Sequence, residues 1–136
     1  MNIEKYPQYE LYKFTKKLYE IKDKLVPPNC DIRCVLSTII NRCYYSSYLY
    51  SSEWLYEKYE FKPSNKENQV DKSFITEHTQ VRRKLKDVGK VTVSNNLFKL
   101  ATLRKKADYE PFQEISKDEL EDAVYLMNSI FQNLTF

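Results

Sequence analysis

The chain has 136 residues, 42% of them hydrophobic, 30% charged and only one a glycine, with a net charge of +3. That length suits one domain around one hydrophobic core, while a single glycine excludes a phosphate-cradling P-loop or Rossmann turn and disfavours a turn-rich sheet protein. No window approaches the apolar length that spans a bilayer, and the start, Met1-Asn2-Ile3-Glu4-Lys5-Tyr6-Pro7, lacks a signal-peptide core, so a cytoplasmic protein is expected.

The first predicted helix runs from about Gln8 to Leu25, with Leu11, Phe14, Leu18, Ile21 and Leu25 stepping by three and four along one apolar stripe. Pro27-Pro28 ends it. Asn29 or Asp31 can cap a long second helix, about Cys30 to Tyr59. Its stripe is Leu36, Ile40, Cys43, Ser47, Tyr50 and Trp54, widened near the start by Ile32, Val35 and Ile39. The run Tyr44 to Tyr50 also has strand propensity, but its length and lack of turn residues favour helix. Residues 60–72 are polar, contain Pro63 and read as a mobile loop.

A third helix spans about Ser73 to Val88, capped by Ser73 or Thr76 and stopped by Gly89. Phe74, Val81, Leu85 and Val88 share its apolar side with His78. A fourth, about Asn95 to Lys106, is capped by Ser94 or Asn95 and turns Leu97, Leu100, Ala101 and Leu103 inward. Asp108 to Ile115 reads as a loop. Ser116 then caps a last helix with Glu119 as capping-box partner, and Leu120, Val124, Met127, Phe131 and Leu134 form its stripe. Five such segments in one domain, residues 1–136, imply an all-α, antiparallel up-and-down bundle of about five helices.

Charge is unevenly spread. Thr79 to Lys106 holds nine Lys and Arg against one Asp, and Ala107 to Asp122 holds seven acids against one Lys. The basic block, with Arg82, Arg83 and Lys84 at its head, can meet phosphates; equally, the two blocks can neutralise each other or face water. Three cysteines and a single histidine make a poor zinc set, so Cys30, Cys34 and Cys43 are expected as buried reduced thiols, with no metal and no cofactor. Of twelve tyrosines, Tyr12, Tyr19, Tyr45, Tyr56 and Tyr59 lie off the apolar stripes. Dimer packing is the plainer account of these; stacking on unpaired bases is the other.

Three elements in order, Arg42-Cys43-Tyr44-Tyr45, Thr76-Glu77-His78-Thr79-Gln80-Val81-Arg82 and Leu103-Arg104-Lys105-Lys106-Ala107-Asp108-Tyr109, followed by an acidic capped helix, resemble one branch of the HEPN family. The resemblance covers roughly Cys30 to Leu134. It implies a helical bundle paired into a homodimer, in a toxin–antitoxin or phage-defence setting, with RNA or a nucleotidyltransferase as partner. Ribonuclease members carry Arg-x(4–6)-His on the long helix. There Arg holds the scissile phosphate and His shuttles protons at the ribose 2′-hydroxyl.

Arg42 matches the motif's Arg, but the His positions hold Ser47, Tyr48 and Leu49. Tyr45 shares the Arg42 face, yet an ordinary phenol is too weak a base at neutral pH. His78 can replace the missing group only if it lies near Arg42. A lone histidine on an apolar side is more often a core or capping residue bonded to backbone. Asp108 can pair with Arg42 or Arg104 while Tyr109 and Phe112 pin the loop, or Arg104, Asp108 and Tyr109 can contact a nucleotide. The motif is half present, so the leading expectation is a non-catalytic or weakly catalytic module that binds RNA, a nucleotide or a protein. The alternatives are an active metal-independent ribonuclease built on Arg42 with another proton carrier, and a structural subunit of a larger assembly.

Overall fold

The computed structural model describes residues 7–64 and 76–135. They form five packed helices: α1 (Pro7–Glu20), α2 (Arg33–Tyr59), α3 (Glu77–Asp87), α4 (Val91–Tyr109) and α5 (Lys117–Asn133), with a 3-10 turn at Lys22–Lys24. There is no strand among the described residues. The expected all-α bundle is therefore the observed one.

α2 is the axis of the bundle. Its expected stripe is buried, and so are Tyr44, Ser46, Tyr48, Ser51 and Leu55, so the helix is covered on most sides. Small serines make this possible. Ser47 and Ser51 donate to the carbonyls of Cys43 and Ser47, each at 2.7 Å, and Ser46 to that of Cys43 at 3.2 Å. Each hydroxyl is satisfied on its own helix, so neighbours approach closely without stranding a polar group.

The neighbours run in defined senses. The start of α2 meets the end of α4, where Arg33 donates to the carbonyls of Lys106, Ala107 and Glu110, and also to that of Gln113 in the turn beyond. The end of α2 meets the start of α4, with Lys90 Nζ over the Trp54 ring. α4 and α5 are antiparallel, tied by Lys106–Glu119 at one end and by Lys90 to the Asn133 carbonyl at the other. α3 runs in the same sense as α2, since His78 lies against Tyr44 and Lys84 over Tyr59.

Several boundaries differ from expectation. α1 ends at Glu20 rather than Leu25, with the 3-10 turn beyond it. α2 starts at Arg33 rather than Cys30, with Asp31 taking the Arg33 N–H at 2.8 Å. α4 starts at Val91, so Ser94 and Asn95 are inside the helix rather than capping it; Ser94 is buried and donates to the Arg82 carbonyl at 2.8 Å. The β-branched run Val91-Thr92-Val93 hid that extra turn. At the far end α4 continues through Asp108 and Tyr109, expected as loop, because Ala107 is buried and Arg33 ties down the terminal carbonyls. Thr76 caps α3, Gly89 follows it at φ 87°, and Ser116 with Glu119 forms the capping box. Partial burial opposes charge on Glu119, but hydrogen bonds from Lys106 and Ser116 outweigh it and hold the carboxyl below its ordinary range. Of the expected loop at 60–72, residues 60–64 are described and lie outside any helix; the remainder, with Ser73 and Phe74, lies outside the described residues.

The inward face of α1 also differs. Phe14 is 58% exposed and Leu25 is exposed, while Tyr12 and Thr15 are buried. Tyr12 lies off the stripe that apolar periodicity marks, yet it is part of the core. Its ring fills space that a leucine would, and its hydroxyl donates to Asn128 Oδ1 at 2.7 Å. The tyrosine therefore supplies core volume and a satisfied polar tip together. Phe131 is clasped between the rings of Tyr12 and Tyr50, at 4.1 and 4.2 Å between centroids. Phe131→Ala is expected to lower unfolding stability by about 3–5 kcal/mol in a urea titration. Phe112→Ala, at a side chain that is 99% exposed, is expected to stay within about 0.5 kcal/mol of the parent. Similar losses at the two positions would mean the clasp carries no special share of the core.

Candidate functional site

Where α2, α3 and α4 meet, aromatic and cationic side chains gather. α2 supplies Asn41, Arg42, Tyr44, Tyr45 and Tyr48, which recur at helical spacing along one side. The Thr76 cap starts α3 so that His78 falls in its first turn, facing those tyrosines. α4 contributes Phe98, Arg104, Asp108 and Tyr109.

His78 was expected to bond to backbone; its partner is instead the Tyr44 hydroxyl, at Nδ1. The imidazole stacks on Tyr48, 4.1 Å between centroids and 16° from parallel, and meets the Tyr45 ring edge-on at 6.4 Å. Partial burial lowers its pKa below the ordinary 6.5, and the positive charges of Arg104 and Arg82 lower it further; Glu77 pulls the other way. Burial raises the Tyr44 phenol well above its ordinary value and, with Glu77 and Tyr45 adding to it, the Tyr48 phenol to about 12. At neutral pH the trio is uncharged. If Tyr44 donates to Nδ1, the imidazole proton sits on Nε2; if Nδ1 donates to Tyr44, Nε2 offers a lone pair.

Arg104 is the hub. Its Nη2 donates to the hydroxyls of Tyr45 at 2.9 Å and Tyr109 at 3.3 Å, and its guanidinium carbon stands 5.3 and 5.2 Å from those two ring centroids. Nε lies 3.0 Å from Asp108 Oδ2, yet its N–H does not line up with that oxygen, so the contact is an ion pair rather than a hydrogen bond. Asp108 Oδ2 also accepts from Asn41 Nδ2 at 2.9 Å, and Asn41 Oδ1 accepts from Arg42 Nε at 3.0 Å. Asp108 therefore pairs with Arg104, and reaches Arg42 only through Asn41. Arg42 covers the Tyr45 ring at 5.8 Å. The guanidiniums whose charge is felt at His78 are those of Arg104 and Arg82.

Tyr109 and Phe112 were expected to pin a loop. Tyr109 is helical and 68% exposed, and Phe112 projects outward. The expectation for cysteines also needs correction. All three are free, but only Cys43 is buried, its thiol pushed up to about 12 by that burial; Cys30 and Cys34 are exposed. Among the described residues, no three His, Cys, Asp or Glu side chains are placed to hold a metal.

A groove runs between α3 and α4 from this hub. It consists of two adjoining hollows of about 390 and 320 Å³ that share Thr79, Arg82 and Phe98. Tyr44, His78, Arg104 and Lys105 line the first, and Arg83, Lys86, Ser94 and Asn95 the second. Among the described residues, five cations face the groove and no carboxylate lines it. The basic block is thus divided: Arg82 and Arg83 belong to the groove, while Lys84 turns away, its Nζ over the rings of Tyr59 and Phe61. Tyr44, Tyr48, Lys86, Phe98 and Lys105 were not among the site residues expected from the sequence. The one available signal was Phe98, a large apolar residue outside the inward set of its helix.

Comparison with family models, curated proteins and solved structures finds no match. No described helix is long and apolar enough to cross a membrane.

The depressed His78 pKa has a consequence for stability. The unfolded chain takes up this proton near 6.5 and the folded chain only at lower pH. Between those values the unfolded state binds more protons, so stability is intact above 6.5 and falls as pH drops through the interval. Urea midpoints between pH 7.5 and 5.0 are expected to decline more in the parent than in His78→Gln. Parallel declines would mean the imidazole is not held neutral by its surroundings.

Proposed function

We propose that this protein is an HEPN-like module that binds RNA along the groove between α3 and α4. The observation that carries the reading is the lining itself: Arg82, Arg83, Lys86, Arg104 and Lys105 on one concave surface, with no carboxylate among the described residues that line it. Like charges gathered this closely repel one another, and a polyanion relieves that repulsion while releasing its own counterions. Arg104 is pre-oriented by Tyr45, Tyr109 and Asp108, so little side-chain freedom is lost when a phosphate arrives. The toxin–antitoxin or phage-defence setting, the homodimer and a nucleotidyltransferase partner belong to the same proposal and rest on the resemblance.

One observation favours a second reading, a metal-independent ribonuclease: His78 and Arg104 line the same hollow. In such cleavage the ribose 2′-oxygen attacks the adjacent phosphorus and its proton passes to a base. The P–O5′ bond breaks, and the departing oxygen takes up a proton. Arg104 would stabilise the charge on the non-bridging phosphoryl oxygens, and His78 would be the base only in the tautomer with a free Nε2. Arg42, tied to Asn41, would then be a neighbour of the site rather than its phosphate ligand.

RNA affinity is expected to fall on a log–log plot against salt, with a slope of about −0.7 per phosphate contacted. Arg83→Glu with Lys86→Glu is expected to weaken binding at least tenfold and flatten that slope. An unchanged slope would remove the groove from consideration. For the second reading, purified protein should release 2′,3′-cyclic phosphate ends, and His78→Ala should abolish this; no cleavage by the parent under any buffer would leave a binding module only.

A further inference from the structure

We infer that the groove's ligand is single-stranded and that Phe98 is the platform on which one unpaired base stacks. The inference rests on the RNA-binding reading above and narrows it. Phe98 leaves 58% of its surface open to solvent although it lies on a helix whose neighbouring Leu97 is buried. It stands at the junction of both hollows, with cations on either side. The Arg82 guanidinium carbon sits 5.4 Å from its ring centroid, and Arg82 Nη2 is itself held by Thr79 Oγ1 at 3.2 Å. The guanidinium therefore already covers one face of the ring, before any ligand arrives, and the exposed remainder is what a base can stack on at the point where a strand would pass from one hollow to the next.

The chemistry of a phenyl ring selects among nucleic acids. It has no donor or acceptor, so it cannot hydrogen-bond a base edge in the groove of a duplex, and the thymine methyl that a phenyl ring can touch there is missing from RNA. It can gain only from the face of a base, and in a duplex those faces are closed by stacking on each other. An unpaired base offers an open face, and stacking on an aromatic side chain is tolerant of base identity. Hollows of this size match a nucleotide unit rather than a helix, and two of them in series match consecutive units of one strand. His78 and Tyr44 line the first hollow and are capable of hydrogen bonding to a base or a 2′-hydroxyl.

A competing occupant exists. Phe98 also borders an apolar hollow between α4 and α5 with Leu103, Tyr125 and Leu126, and a second copy of this chain would cover that side. The test is fluorescence anisotropy with the full chain and a labelled 12-nucleotide RNA, single-stranded or annealed to its complement, at fixed salt. The proteins are the parent, Phe98→Ala, Phe98→Trp and Arg83→Glu. The expected result is tighter binding of the single strand than of the duplex, weakened roughly tenfold by Phe98→Ala and restored by Phe98→Trp. Duplex binding should respond to Arg83→Glu and not to Phe98→Ala. Equal or tighter duplex binding by the parent would overturn the inference. So would Phe98→Ala within twofold of the parent while Arg83→Glu weakens the single strand, which would leave the cationic groove standing without the stack. Unchanged RNA affinity together with loss of a dimer on a sizing column in Phe98→Ala would assign the ring to self-association. Failure of Arg83→Glu to alter either RNA would sink the groove reading itself.

Discussion

The bundle depends on a long helix that is covered on most sides without leaving a polar atom stranded. α2 achieves this with serines where other helices carry leucines. Their hydroxyls bond back to Cys43 and Ser47 of the same helix, and their small size lets α1, α4 and α5 close in. Larger side chains at Ser46, Ser47 or Ser51 would push the neighbouring helices apart. The tyrosines beside and between them then lie at the seams, where a hydroxyl needs a partner. Tyr50 finds the Leu134 carbonyl at 2.7 Å deep in the core. Tyr44 and Tyr45, nearer the α3 and α4 side, find His78 and Arg104.

That second pair of contacts converts a packing solution into a polar site. Arg104 is enclosed by three aromatic rings and one carboxylate, an arrangement that keeps a cation partly desolvated and oriented. Its charge and that of Arg82 then favour a neutral His78. The ordered turn that carries Asp108 and Tyr109 exists because Arg33, from the start of α2, satisfies the terminal carbonyls of α4. Core, helix end and site are thus joined by two arginines with different tasks: Arg33 holds backbone, and Arg104 holds side chains.

Much of the fold was legible in the residues. The α5 stripe from Leu120 to Leu134 is buried throughout, and its capping box forms as its Ser-x-x-Glu spacing implies. α1 was harder, because apolar periodicity weighs Phe14 above Tyr12, whereas the packed structure prefers the side chain that can fill volume and still bond Asn128. The extent of α4 was hidden at both ends, by β-branched residues at its start and by a stabilising arginine some seventy residues away at its end. The candidate site was legible as a set of residues but not as an arrangement. Arg42 reads as the natural partner for any proton carrier, yet the arginines that line a hollow with His78 are Arg82 of α3 and Arg104 of α4. Only the tertiary contact of α3 with α4 reveals that Arg82 and Arg104 face one groove while Lys84 faces another surface.

The groove between α3 and α4 is most directly tested by two-dimensional NMR of isotope-labelled protein titrated with a short single-stranded RNA. Shifts are expected to concentrate at Thr79, Arg82, Arg83, Phe98 and Arg104, with the Tyr50–Phe131 core unmoved. Perturbations confined to α1 and the outer face of α5, or none at millimolar RNA, would contradict the assignment of that groove as the nucleic-acid surface.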